Sequence, residues 1–224
     1  MAASVYDYNI LKSDFFDTAV ADVLRAVDGG AGMGSFILAL CCVDYMGLAL
    51  SPSKEENTSA DFKLFITSYM ASINPSYTDK ADMIWAVRCG LAHVYGASSK
   101  QVKRDFDFKL APDQPDLHLR LITHASGKKE FWINLPAFIA ELIASVESFF
   151  RDKKGNDAQL LQWASRLLVL SGAGPGLWRL GVLNTGHPSH KASHPFLALL
   201  DNDPPLTPQE IRDQIFKQLT DKLS

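Results

Sequence analysis

The chain has 224 residues, a formal net charge of −3 and 47% hydrophobic residues. The apolar share can fill a sizeable core and excludes a disordered chain, and the near-neutral charge gives no overall pull toward nucleic acid or an anionic membrane. Three cysteines, Cys41, Cys42 and Cys89, without Cys-x2-Cys spacing, suit reduced buried thiols better than a disulfide frame or a zinc site.

The first residues carry neither a basic start nor an apolar run, which predicts a cytoplasmic protein. Ser13 and Asp14 predict the cap of a helix over 15–27, where Phe16, Val20, Val23, Leu24 and Val27 recur at helical spacing. Residues 33–50 are apolar nearly all round. Asp44, Gly34 and Gly47 within them, and the lack of basic flanks, favour a buried core helix over a membrane span, so no membrane partner is expected. A short aromatic helix over 61–70 carries Phe62, Phe65, Ile66 and Tyr69 and is stopped by Asn74 and Pro75. A fourth helix runs from about 78 to 96.

The period then changes to alternation. Phe106, Phe108 and Leu110, then Leu117, Leu119 and Leu121, then Phe131, Ile133 and Leu135 predict the inward positions of a small antiparallel sheet, with a turn at 126–129. Asn134 caps a long amphipathic helix to 153, with Pro136 in its first turn. Another helix is expected over 156–170, a Gly/Pro-rich turn over 171–181 and an irregular stretch over 184–206. Thr207 and Glu210 form the capping box of a C-terminal helix. The fold class is α+β, predominantly α: a helical core with a small sheet over 1–154 and a helical or irregular extension over 155–224.

Two apolar helices each hold one charge. Asp44 is the single charged residue in 33–50, and Arg88 stands alone between Asp82 and Lys100 when His93 is neutral. An unpaired charge in a core costs several kcal/mol, so the two helices are predicted to pack with Asp44 facing Arg88. Such a pair is either a structural ion pair fixing helix register or part of a site. His93 favours the site by placing a general acid or base near an anion binder, a combination suited to phosphate chemistry. The five-residue step turns about 140° around the helix, so the side chains flank a groove, which a second copy of the helix would complete.

Arg88-Cys-Gly-Leu-Ala-His93 resembles the Arg-x4-6-His signature of the HEPN superfamily (higher eukaryotes and prokaryotes nucleotide-binding). The order of helices before it, with an acid on the apolar second helix and Phe65 to Tyr69 on the third, is similar to bacterial HEPN-like proteins across about residues 13–150. The resemblance implies a bundle of four to five helices, a homodimer and metal-independent endoribonuclease activity of toxin or phage-defence type. In that reading Arg88 and His93 are catalytic, Asp44 orients Arg88, and no cofactor or metal is required. RNA or a nucleotide and an antitoxin-like protein are the implied partners. Cys89 stands where many active members have a polar residue. The alternative is therefore a catalytically inactive nucleotide-binding or protein-interaction module of the same fold.

Cys89, Tyr95, Lys100, Lys103 and Arg104 are candidate binding residues on and after the motif helix, and Lys109, Lys128 and Lys129 extend a basic rim. His187, His190 and His194 crowd one segment, but its Pro/Ser context reads as a solvated loop rather than a metal site.

Overall fold

The computed structural model describes residues 8–51, 58–94, 105–156 and 194–223. Helices α1 (Tyr8–Phe15) and α2 (Ala21–Asp28) are joined by a wider π turn at Phe16–Val20, and Gly29 and Gly30 end the pair, Gly30 at φ 72°. The first helix thus starts ahead of the expected cap. Ser13 lies inside it and donates to Asp17 Oδ2 at 3.1 Å, one turn on.

Helix α3 (Gly32–Leu50) is the central element, long and apolar enough to cross a membrane, yet 56% of its most apolar stretch is buried inside the molecule. Phe36, Leu40, Val43 and Met46 face the core. Gly47 permits its crossing with α4 (Ser59–Phe65): a Cβ there would lie 2.7 Å from the Asp61 carbonyl oxygen. Thr58 and Asp61 make a capping box at the start of α4, which continues through a π turn at Ile66–Met70 into α5 (Ala71–Ile73). After a 3-10 turn at Pro75–Tyr77, α6 (Ala81–Val94) packs on α3 and α4.

The sheet is mixed, which corrects the antiparallel expectation. Strands β1 (Asp107–Leu110), β2 (Arg120–Thr123) and β3 (Lys129–Ile133) lie in the order β1-β3-β2, with β1 parallel and β2 antiparallel to β3. The physical reason lies in the connection. Pro112 and the 3-10 turn at Pro115–Leu117 prevent a tight β1–β2 hairpin, so the chain crosses over and leaves the most buried strand, with Phe131 and Ile133, in the middle. Leu117 sits on that turn, Leu121 is 41% exposed on the edge, and Leu119 is buried in the core with φ at 60°. The β2–β3 turn is as expected, with Gly127 at φ 80°.

Asn134 accepts from the Ala137 N–H at 3.0 Å and so caps α7 (Leu135–Lys153). Helix α8 (Pro208–Leu223) lies against α7 and buries Ile211, Ile215 and Leu219 in the common core; Thr207 and Glu210 form its capping box. His194 is not in a solvated loop. It is buried, caps a 3-10 stretch at Pro195–Asp201 and places Nε2 3.1 Å from Asp28 Oδ2; Lys222 of α8 bonds the other oxygen of Asp28. His187 and His190 lie outside the described residues, as do the helix and turn expected over 157–181.

Candidate functional site

Helices α3 and α6 cross so that Arg88 Nε donates to Asp44 Oδ2 at 2.8 Å. This is the pairing that two lone charges on apolar helices required. It is not sealed: the side chains are 29% and 19% exposed. The Arg88 guanidinium also rests 5.3 Å from the Trp85 ring centroid, and Trp85 packs on Phe62, so the arginine is held from two sides.

Burial raises the Asp44 carboxyl above its ordinary value, against the opposing charge and hydrogen bond of Arg88. Burial works against the Arg88 charge, but Asp44 outweighs it and raises Arg88 further. Cys89 is buried beside this pair; burial raises its thiol, with Arg88 pulling the other way, and Cys41 is raised in the same manner. Neither thiol is thereby poised as a thiolate nucleophile.

The backbone of α6 carries position 93 on the turn after Arg88, but the His93 side chain lies outside the described residues. So do Tyr95, Lys100, Lys103 and Arg104. Of the sequence-predicted site, the structure therefore brings together Asp44, Arg88 and Cys89. The basic rim is neutralised where it is described: Lys128 lies 3.0 Å from Asp107 and 3.4 Å from Glu130, Lys109 3.9 Å from Glu130, and Lys129 is paired with Asp105.

A second cluster escaped the sequence reading. Glu141 of α7, fully buried, accepts from the Tyr77 hydroxyl at 2.8 Å and from Asn74 Nδ2 at 3.0 Å, and Arg212 of α8 lies 3.3 Å away. His118 Nε2 sits 2.8 Å from Glu141 Oε2, while His118 Nδ1 accepts from the Asn134 N–H at 3.2 Å. With Nδ1 acting as acceptor, the imidazole proton belongs on Nε2, aimed at Glu141. Burial would raise the Glu141 carboxyl, but His118, Tyr77 and Asn74 outweigh it and hold the group below its ordinary value. The signal was present: Glu141 is the single charged residue in 135–146, the same pattern that marked Asp44.

The two clusters differ in what they can do. The Glu141 network spends its hydrogen-bonding capacity on its own members and is closed, which suits a fastener between the 3-10 turn at Tyr77, the sheet connection, α7 and α8. The Arg88 pair is half open and keeps a cation near the surface. Among the described residues, no three His, Cys, Asp or Glu side chains gather as a metal site. No protein-family model, no curated protein and no solved structure matches this chain.

Proposed function

We propose that this chain is an HEPN-like metal-independent endoribonuclease of toxin or phage-defence type, working as a homodimer with Arg88 and His93 facing a shared cleft. The observation that carries the reading is Arg88 itself: an arginine on the motif helix, oriented by Asp44 and stacked near Trp85, yet left partly exposed. Such a group binds a phosphate without first having to be ordered, and its charge meets the charge that develops on phosphorus. In the proposed reaction His93 takes the proton of the ribose 2′-hydroxyl, and the 2′-oxygen bonds to the adjacent phosphorus as the bond from phosphorus to the 5′-oxygen breaks. The departing 5′-oxygen takes a proton from water, and His93 later returns its own proton to solvent. The product is a 2′,3′-cyclic phosphate.

One observation favours the second reading, an inactive nucleotide-binding module. Cys89 is buried, with its thiol raised by burial, where a polar residue would assist catalysis. The test is incubation of the purified protein with single-stranded and structured RNA in EDTA, beside His93→Ala and Arg88→Ala. Cyclic-phosphate products lost in both variants support the enzyme. Equal cleavage by all three proteins, or none by any while nucleotide still binds through Arg88, removes it.

A further inference from the structure

The register of the small sheet separates its two faces. Phe108 of β1 stacks on Phe36 of α3, with ring centroids 5.3 Å apart, and Phe131 and Ile133 of β3 are buried, so these positions face the core. The alternate positions face outward. Trp132, on the middle strand, is paired with Lys109 of β1 on one side and Arg120 of β2 on the other. An indole thus stands between two exposed cations in one row across the sheet.

The charges of this face leave one cation over. Glu130 lies 3.0 Å from His124, 3.4 Å from Lys128 and 3.9 Å from Lys109, and Asp107 lies 3.0 Å from Lys128. Arg120 makes no ion pair or hydrogen bond among the described residues. A guanidinium without an acid keeps its donors for an anion, which it can grip with two at once. Trp132, for its part, is a costly way to fill space. Its indole N–H is buried and has no acceptor among the described residues, and what the half-buried residue shows to water excludes that polar edge. A leucine would cover the strand without the orphan donor. What the indole adds is a broad π face.

A π face with a cation on either side matches a nucleotide chain whose bases are unpaired. The base stacks on the ring, and the phosphates before and after it go to the cations. Lys109 and Arg120 stand two strand spacings apart, roughly 9–10 Å at the backbone, a span that their long side chains adjust to successive phosphates. A duplex hides its bases from such a ring, and an acidic peptide would use the cations and leave the ring idle.

We propose that the outer face of the sheet binds single-stranded nucleic acid, with Trp132 stacking on a base and Arg120 and Lys109 holding the flanking phosphates. This surface is built on other elements than the Asp44–Arg88 pair, and it binds whether or not that pair takes part in cleavage.

The test is fluorescence anisotropy of the full chain with a labelled single-stranded oligoadenylate of about 12 nucleotides, in a 2′-O-methyl RNA and a DNA version. Neither probe has a free 2′-hydroxyl, so the proposed reaction cuts neither, and a failure to bind here is distinct from a failure to cleave. Trp132→Leu is expected to weaken binding about tenfold, and Trp132→Phe, which keeps a ring, about threefold or less. Arg120→Ala should weaken it about fivefold and flatten the slope of log affinity against log salt by about 0.7, the loss of one phosphate contact. Arg120 is exposed, so its substitution reads binding even where a Trp132 variant fails to fold. These losses with either probe support the proposal, and the tighter probe names the sugar. Three results overturn it: no binding of either probe, binding that Arg120→Ala leaves unchanged in strength and slope, or polyglutamate that competes as well as the unlabelled oligonucleotide.

Discussion

Asp44 with Arg88 and Glu141 with its four partners are two answers to one problem, a charge carried by an apolar helix. At Glu141 the answer is complete enclosure: the carboxylate is fully buried and gathers Asn74, Tyr77, His118 and Arg212 from three other parts of the chain. At Asp44 the answer is an arginine, Arg88, at a surface that water reaches. The first arrangement fixes how elements sit. The second leaves a cation where a ligand can meet it. A charged cluster with more hydrogen bonds is therefore the weaker candidate for chemistry, because its groups are already committed to one another.

The comparison is open to measurement. Glu141→Ala should give the largest effect, a loss of about 3–5 kcal/mol in urea unfolding, since it strands His118, Tyr77 and Arg212 without their common partner. Asp44→Asn should cost less, about 1–2 kcal/mol, because Arg88 can turn to solvent. Equal losses would make both clusters architecture and remove the reason to regard Arg88 as available. The smallest effect is in pH. The Glu141 carboxyl is held below its ordinary value of 4.5, so its stabilising contribution is complete above that value and is lost as the pH falls through the lower folded one. Unfolding midpoints of the wild type should fall more steeply below pH 4.5 than those of Glu141→Gln; parallel curves would show that the network does not hold the carboxylate ionised.

The Asp44–Arg88 contact was legible in the sequence because a solitary charge on a helix apolar all round has few ways to be neutralised, and each of these two was the other's best one. Glu141 obeyed the same rule, but its helix also carries Glu147, Arg151 and Lys153, and a striped helix invites the assumption that its charges face water. Caps at Asn134 and Thr207 were legible because they are local: three residues decide them. Sheet order was not, since parallel or antiparallel pairing depends on how the proline-containing connection after Ala111 crosses the sheet, and alternation says nothing of that. Ser13 failed as a helix start because Tyr8 and Leu11 already pack against the core and extend the helix past the polar pair.

The Asp28 junction has a consequence for synthesis. His194 and Lys222 both fasten to the end of α2, and Ile211, Ile215 and Leu219 fill the core against α7. On the ribosome, α7 emerges long before α8, so its apolar flank stays uncovered until residues 208–223 have followed, and the interval is one in which a chaperone or a neighbouring nascent chain competes for it. A ribosome stalled in that interval displays α7 with the flank that α8 later covers still open to solvent.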